Sequence, residues 1–340
     1  MTMSLTDVSL FDNLSWFERL YRKFTLNFIS QLKHGDITLV EGNQRLRLGD
    51  EQAALKVVIT VLDPAFYQKM VVAGSVGAGE AYILGWWRCD DLTALVRIFA
   101  LNLTTLDKLD SAISRLGRPL LKLLNWRNRN TKTQARKNIA AHYDLGNDMY
   151  SLFLDDSMMY SSAVYPDHNA DLAQAQQYKL KLICDRLQLN ADDHLLEIGT
   201  GWGAMAIYAV QNYGCKVTTT TISEQQYDYA TARIKALGLQ DSITVLLSDY
   251  RDLSGQFDKL VSIEMIEAVG EEYLDTYFAK CSSLLKTNGL MLLQAITIVD
   301  QRYRQYVREV DFIKRYVFPG GCLPSVSRMT DAVCRNTDLV

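Results

Sequence analysis

Short apolar runs alternate with longer amphipathic segments throughout the second half of the chain. The runs predict strands at 194–198, 215–221, 243–247, 258–263 and 289–296, and the amphipathic segments predict helices at 203–213, 224–237 and 271–285. This alternation is typical of a parallel sheet with helices on both faces. The predicted fold class is therefore α/β, with a doubly wound, mostly parallel, Rossmann-like sheet.

The first 126 residues show a less regular pattern, in which short helical segments mix with strand-like runs such as ITLVEG and KVVITVLD. No catalytic motif is evident there, and the pattern predicts a smaller domain of mixed helical character over residues 1–126. The polar sequence that follows predicts a basic linker at 127–137. The alternating pattern then assigns a second domain to residues 138–340.

Acidic residues are absent between Ser111 and Lys137, whereas eight basic residues lie in that stretch. They are Arg115, Arg118, Lys122, Arg127, Arg129, Lys132, Arg136 and Lys137. Apolar residues from Ile113 to Leu124 share one helical face, which is the pattern of a helix on an anionic membrane surface. A helix that packs on its own domain with a solvated basic face gives the same pattern, and charge alone favours that alternative. RNA binding is disfavoured because no aromatic residues are interleaved with the charges.

Composition narrows the class of protein further. The length of 340 residues suggests two domains, at about 150 residues per domain. Hydrophobic residues make up 48% and charged residues 22%, as in soluble globular proteins, and no apolar run approaches the ~18 residues that span a membrane. Six scattered cysteines without a C-x-x-C pair predict reduced thiols and no metal site. A net charge of -3 argues against nucleic acid as a partner, and the lack of a secretory signal predicts a cytoplasmic location.

The sequence HLLEIGTGWG at 194–203 is the strongest candidate for a ligand site. A strand-like run breaks into three alternating glycines before a helix begins. Glycines at such a turn let a ligand approach the backbone at the amide-rich start of a helix. The candidate contacts are Glu197, Gly199, Thr200, Gly201, Trp202 and Gly203.

S-adenosylmethionine is a better match to this loop than a nicotinamide dinucleotide. A nicotinamide fingerprint reads G-x-G-x-x-G and needs an acidic residue about 20 residues further on to bind the ribose. Here the pattern is G-x-G-x-G around Trp202, and the second strand, CKVTTTTIS, ends in hydroxyl groups. Glycines that serve only the packing of a strand on a helix are the alternative interpretation.

Two further groups of residues extend the predicted cofactor site. Ser223 and Gln226 predict a capping box that starts the second helix near the ribose of the ligand. Asp249, Tyr250 and Arg251 follow the third strand, at the edge where an open α/β sheet binds its ligands, and are predicted to surround adenine. An ordinary polar turn is the alternative for this second group.

Eight segments together resemble the cyclopropane-fatty-acid synthase family. They are GAGEAYILGWWRCDDL (77–92), HYDLGNDMYSLFL (142–154), MMYSSAVY (158–165), LEIGTGWG (196–203), TISEQQ (221–226), SDYRDL (248–253), EMIEAVG (264–270) and FPGGCLPS (318–325). The family transfers the methyl group of S-adenosylmethionine to a cis double bond of a phospholipid acyl chain, on a class I methyltransferase fold. The resemblance implies an unsaturated phospholipid as substrate and an anionic membrane surface, contacted peripherally by residues 1–126, as partner. A homodimer is left open.

The resemblance also implies roles for individual residues. Besides residues already named, it matches cofactor contacts at Tyr160, Ser161, Thr221 and Ile222. Tyr143 and Glu267 match positions that line the methyl-transfer site. The family binds a bicarbonate there as a general base, so bicarbonate is a second ligand that the resemblance implies.

The sequence departs from the family at the bicarbonate site, where the family uses a Cys, a Glu, a His and a Tyr. Ser162 takes the place of the cysteine, Ala268 that of the histidine after the glutamate, and Gln294 that of a second histidine, on the last strand. The plant-type branch reads similarly at the last two positions. The tyrosine belongs to a segment beyond Val340, so the second domain is expected to be incomplete at its C-terminus. The predicted catalytic residues are Glu267, Tyr143, Ser162 and Gln294.

These residue types suit methylation of an alkene, a weak nucleophile that needs an electrophilic methyl group aligned with it. Aromatic rings such as Tyr143 and Tyr160 stabilise the resulting cation, and a base then removes a proton. Loss from the new methyl group closes a cyclopropane ring, the predicted product, whereas loss from a neighbouring carbon gives a methyl-branched chain. A lipid-binding protein without turnover and a nicotinamide reductase are the remaining alternatives.

The acid-free stretch predicts salt-sensitive binding to anionic vesicles. Replacing Arg115, Arg118 and Lys122 by Gln should weaken binding, since each basic residue near such a surface contributes ~1 kcal/mol. Vesicle sedimentation of the wild-type and triple-variant proteins measures the difference. Equal sedimentation of the two proteins would favour the alternative, a helix that packs on its own domain.

Overall fold

The computed structural model describes residues 9–103, 129–143 and 147–340, and the chain divides into two compact units at residues 1–124 and 125–340. Each unit has its own sheet and its own hydrophobic core. Most of the basic stretch that begins at Ser111 lies outside the described residues. A lipid-binding role for residues 1–126 therefore stays a prediction.

Helices and a sheet together build the described part of the first unit. The strands are β1 (Asp36–Glu41), β2 (Gln44–Gly49), β3 (Lys56–Val61) and β4 (Trp87–Cys89), in the order β2-β1-β3-β4. The helices are α1 (Ser9–Asp12), α2 (Trp16–Ile29), α3 (Ala65–Ile83) and α4 (Leu92–Leu101). The strand-like runs ITLVEG and KVVITVLD form β1 and β3, which pair in parallel. The described part of this unit thus combines helices with a four-stranded sheet, in keeping with the mixed pattern of the sequence.

A parallel sheet forms the centre of the second unit, as predicted. Its described strands are β5 (His194–Ile198), β6 (Lys216–Thr221), β7 (Ile243–Leu247), β8 (Phe257–Ile263) and β9 (Leu285–Gln294). They lie in the order β7-β6-β5-β8-β9, and each neighbouring pair is parallel. The order reverses between β5 and β8, and ligands of such sheets bind outside the carboxyl ends of the strands at this point.

The helices of the second unit cover both faces of this sheet. They are α5 (Lys132–Tyr143), α6 (Asn147–Ser151), α7 (Leu172–Arg186), α8 (Ala204–Tyr213), α9 (Glu224–Ala236), α10 (Leu274–Leu284), α11 (Asp300–Arg308) and α12 (Val326–Asn336). Two successive residues of β5 show this: Leu195 packs in one core with α7 to α9, and Leu196 packs in another core with α10 and α12. Among the described helices, none is long and apolar enough to cross a membrane.

The element boundaries follow the sequence pattern closely. The predicted helices at 203–213 and 224–237 correspond to α8 and α9. The helix predicted at 271–285 is a short 3-10 turn, Glu271–Tyr273, followed by α10. The last strand begins at Leu285 rather than at 289, since α10 ends directly in the strand.

The predicted linker at 127–137 is held on the second unit over its described residues. The Asn130 side-chain nitrogen donates to the carbonyl of Gly320 at 2.8 Å, and the Asn130 backbone carbonyl accepts from the Arg251 guanidinium at 3.0 Å. Asn130 is only 4% exposed. Helix α5 already begins at Lys132, so this segment is an ordered part of the second unit.

Candidate active site

Strand β5 ends in a glycine loop, Gly199–Gly203, whose three glycines have φ values of 108°, 52° and 88°. Residues other than glycine rarely adopt positive φ values. A Cβ on Gly203 would lie 3.3 Å from that of Ala230, so this glycine lets the start of α8 approach α9. A Cβ on Gly201 would meet no atom within 4 Å, so the loop faces open space there. A ligand can therefore reach the backbone at Gly201.

Two predicted ligand contacts, Glu197 and Thr200, instead support the loop from inside the protein. Glu197 is 3% exposed, and its carboxyl accepts a hydrogen bond of 2.6 Å from the hydroxyl of Thr219. The Thr219 hydroxyl lies 2.7 Å from that of Thr200. Burial raises the pKa of Glu197 to about 8. These side chains hold the loop in place and do not face the open side of the site.

Trp202 anchors the loop to the segment that precedes it in sequence. Its ring is 3% exposed and lies 5.0 Å from the ring of Tyr150, and its indole nitrogen donates to Asn147 at 2.8 Å. Tyr160 packs edge-on against Tyr150 at 5.2 Å but remains 38% exposed. The cluster therefore buries Trp202, predicted as a contact, and leaves Tyr160 partly exposed.

The turn after β6 is a closed network of hydrogen bonds. The Thr221 hydroxyl donates to the side-chain carbonyl of Gln226 at 2.8 Å and accepts from the backbone amide of Ser223 at 3.1 Å. Ser223 caps α9, but the capping-box prediction is wrong in its second half, because Gln226 bonds to Thr221 rather than to the Ser223 amide. Ile222 is the partly exposed member of this group.

After β7, two of the residues predicted around adenine are bonded to each other. Arg251 donates to both carboxylate oxygens of Asp249, at 2.8 and 2.6 Å. Burial opposes ionisation of Asp249, but the Arg251 hydrogen bonds outweigh it and keep the pKa of this carboxyl below its usual range. The buried Tyr250 hydroxyl has no hydrogen-bond partner among the described residues. Tyr250 is thus the member of this group with unused polar capacity.

Ser162 and Gln294, predicted together, do meet, and a third residue joins them. Glu264 Oε1 accepts hydrogen bonds from the Ser162 amide at 3.0 Å, the Ser162 hydroxyl at 2.8 Å and the Gln294 side-chain nitrogen at 2.9 Å. Glu264 has a φ of 48°, a conformation that costs of order 1–3 kcal/mol in a residue other than glycine. The sequence analysis missed Glu264, although its position directly after β8 marks the ligand edge of the sheet.

A buried lysine fixes the segment that carries Ser161 and Ser162. Lys179 is 1% exposed, and its amino group donates to the Ser161 hydroxyl at 2.8 Å and to the Ser162 carbonyl at 3.0 Å. Burial lowers the pKa of Lys179 to about 8, and the negative charge of Glu264 partly offsets that effect. Lys179 and Gln176 were also missed, although they are polar residues on the otherwise apolar face of α7.

Glu267 lies in the short turn that follows β8. One carboxyl oxygen accepts from the Ile296 amide, and the other is buried without a partner among the described residues. The Glu267 carbonyl accepts from the Cys322 amide at 2.7 Å, which ties the turn to the FPGGCLPS segment. Burial raises the pKa of Glu267 to about 7, and the charge of Glu264 contributes to the rise. Such a carboxyl is suited to accept a proton near neutral pH.

Tyr143, predicted beside Glu267, ends α5, and its side chain lies outside the described residues. Its place in the site stays a prediction.

Comparison with known proteins identifies the family. A family model described as mycolic acid cyclopropane synthetase matches residues 130–340. Cyclopropane-fatty-acyl-phospholipid synthase from Escherichia coli (strain K12) is 39% identical over 277 residues, which cover 81% of this chain and 69% of that protein. Tuberculostearic acid methyltransferase UfaA1 from Mycobacterium tuberculosis is 36% identical over 275 residues, which cover 78% of this chain and 63% of that protein.

Solved structures agree with this relationship. Mycolic acid cyclopropane synthase CmaA1, complexed with SAH and CTAB, is 31% identical with a TM-score of 0.55, covering 59% of this chain and 74% of that one. The cyclopropane synthase MmaA2 from Mycobacterium tuberculosis is 27% identical, with the same TM-score of 0.55 and the same coverage of 59% and 74%. The chain therefore belongs to the mycolic acid cyclopropane synthetase family of S-adenosylmethionine-dependent methyltransferases.

Proposed function

We propose that this protein transfers the methyl group of S-adenosylmethionine to a cis double bond of an unsaturated phospholipid acyl chain and closes a cyclopropane ring. The observation that carries the proposal is the Glu267 carboxyl, which has one buried oxygen without a partner among the described residues and whose pKa is raised by burial to about 7. The name of the Escherichia coli relative, cyclopropane-fatty-acyl-phospholipid synthase, supports a phospholipid as the substrate.

The glycine loop fits S-adenosylmethionine. The open space beside Gly201 would be filled by any side chain there, and β6 ends in hydroxyls rather than in a carboxylate. When bound, S-adenosylmethionine supplies an electrophilic methyl group on a positively charged sulfur. The residues we propose as its contacts are the partly open ones: Gly199, Gly201, Ile222, Tyr160, Ser161 and Tyr250.

Two further roles, stabilisation of the cation and removal of a proton, are proposed for Tyr160 and Glu267. We propose that the Tyr160 ring, which is 38% exposed, stabilises a cation on the acyl chain, by ~1 to 2 kcal/mol in a dry site. Glu267 then accepts the proton that leaves the new methyl group, whose C–H electrons form the third bond of the ring. We propose that Tyr143 acts with Tyr160 on the cation.

Bicarbonate does not fit the site as the resemblance implied. Ser162 and Gln294 stand where the family has two bicarbonate ligands, but both donate to Glu264 in this protein. Ala268 stands where the family has another histidine and offers no side-chain donor. We therefore propose that Glu267, rather than bicarbonate, accepts the proton from the new methyl group.

A methyl-branched acyl chain is the second candidate product. It is favoured by the 36% identity to a protein named tuberculostearic acid methyltransferase. Both products share the methyl transfer and differ only in the carbon from which the proton leaves. The position of the base thus separates the two candidates.

Mass spectrometry of acyl chains tests the proposal directly. The protein is incubated with S-adenosylmethionine carrying a labelled methyl group and with vesicles of an unsaturated phospholipid. The proposal expects a labelled ring-containing chain. A labelled branched chain would favour the second candidate, and unlabelled lipid would reject both.

Gly201→Val should abolish binding of S-adenosylmethionine, because its side chain would fill the open space at the loop. Gly238→Val is a matched control, since Gly238 also has positive φ, 69°, and open space around its Cβ. Both variants carry similar backbone strain, so thermal melting should fall alike. Titration calorimetry that finds wild-type affinity in a folded Gly201→Val protein would remove the cofactor site from this loop.

Glu267→Gln should lower the turnover rate on the order of a hundredfold or more, as expected for loss of a general base. Affinity for S-adenosylmethionine should change little, because the base acts only after methyl transfer begins. Glu272→Gln is the control, since Glu272 lies in the next turn and forms a half-exposed ion pair with Arg129. If the two variants turn over equally, Glu267 is not the base.

The turnover rate should rise with pH and level off above about pH 7, because Glu267 accepts a proton only when ionised and burial raises its pKa to about 7. Below that value the carboxyl is protonated and each lower pH unit should reduce the rate tenfold. Single-turnover rates from about pH 5 to about pH 9 measure the profile. A rate that stays constant across this range would contradict the assignment.

A further inference from the structure

Three hydrogen-bond donors converge on a single oxygen of Glu264. They are the amide and hydroxyl of Ser162, at 3.0 and 2.8 Å, and the side-chain nitrogen of Gln294, at 2.9 Å. Donors directed at one point from different parts of the chain are the arrangement of an anion site. Here the anion is a carboxylate of the chain itself.

The rest of the protein holds these donors in place. Lys179, which is 1% exposed, donates to the Ser162 carbonyl at 3.0 Å and so fixes the backbone that presents the Ser162 amide. The Glu264 amide donates to the Gln294 carbonyl at 2.8 Å, which locks the ends of β8 and β9 together. Both the donors and the acceptor are therefore positioned before any substrate binds.

The backbone of Glu264 supports the same conclusion. Its φ of 48° lies in the left-handed region, which a glutamate rarely adopts. Such strain persists where the surroundings impose it, and it concentrates at functional sites. Glycine would adopt this conformation without strain, but it has no carboxylate to accept from the three donors. The strained glutamate therefore provides an anion that an unstrained glycine would not.

We propose that Glu264 is a positioning residue that supplies, from the chain itself, the anion of the Ser162–Gln294 cradle, so that turnover does not require bicarbonate. The inference rests on the proposed function and on the misfit of bicarbonate described above. A fixed negative charge at Glu264 favours the movement of a proton onto Glu267 and attracts a cation at the site. Glu264 and Glu267 thus have separate roles, one as a held anion and one as a proton acceptor.

Chemical rescue tests the proposal. Turnover of the wild-type chain and of Glu264→Gly is measured on unsaturated phospholipid vesicles in carbonate-free buffer, with sodium bicarbonate or an equal ionic strength of sodium chloride added. The wild-type rate should be the same in both salts. Glu264→Gly should be slower on the order of a hundredfold in chloride, as for a misplaced reacting group, and bicarbonate should restore much of the rate.

Glu264→Gln is the matched control, because its neutral side chain still fills the cradle. It should be slow in both salts, which a purely structural role of Glu264 would not produce in a folded protein. Glu264→Asn is a second emptied variant for use if Glu264→Gly does not fold, since asparagine tolerates the left-handed region and is too short to reach the donors.

Binding of carbon-13 bicarbonate, followed by NMR line broadening, gives a readout independent of turnover. Broadening with the emptied variant but not with the wild type supports the proposal, even if no lipid product forms and the proposed function fails. Broadening with the wild type, or a wild-type rate that depends on bicarbonate, would overturn it. So would an emptied variant that turns over at the wild-type rate in chloride.

Discussion

The parallel pairing of β5 with β8 is the constraint on which the site depends. In that register Glu197 lies opposite Val261, so the two strands end side by side. The glycine loop therefore begins next to the turn that carries Glu264 and Glu267. A Cβ on Gly199 would lie 3.3 Å from the side chain of Met265, which shows how closely the two segments approach. A shift in this pairing would separate the glycine loop from the carboxylates of Glu264 and Glu267.

Polar groups at this edge are buried, and the way each is satisfied distinguishes support from chemistry. Glu197 is bonded to Thr219, and Asp249 is bonded to Arg251. Lys179 uses backbone carbonyls as acceptors. Glu267 differs from these charged groups, because one of its carboxyl oxygens is buried without a partner among the described residues. An unsatisfied buried polar atom costs about 1–3 kcal/mol, and the proton acceptance that we propose for Glu267 accounts for that cost.

The strand and helix pattern predicted the second sheet because alternation of apolar runs is a local property of the sequence. The same pattern located the glycine loop. The family resemblance, rather than the pattern, grouped Ser162 with Gln294. The pattern did not separate residues that face a ligand from residues that support the loop. Trp202 and Thr200 were grouped with the glycines, but their side chains are buried among partners far along the chain. Sequence spacing carries no information on such partners.

Glu264 was missed for a related reason. Its motif, EMIEAVG, contains two glutamates. Only the three-dimensional arrangement shows that the first accepts from Ser162 and Gln294, while the second has one oxygen without a partner in the described part of the chain. The strained φ of 48° that allows this arrangement is also invisible in a single sequence. Long-range hydrogen bonds therefore decide the roles of residues that look equivalent in the motif.

Proton removal from the transferred methyl group is the step that closes the proposed ring, and deuterium retention measures it directly. The donor is S-adenosylmethionine with a fully deuterated methyl group, and the acyl product is analysed by mass spectrometry. We expect a ring-containing chain that keeps two of the three deuterium atoms. A product that keeps all three would show that the proton left from another carbon, and would contradict ring closure through loss of a methyl proton.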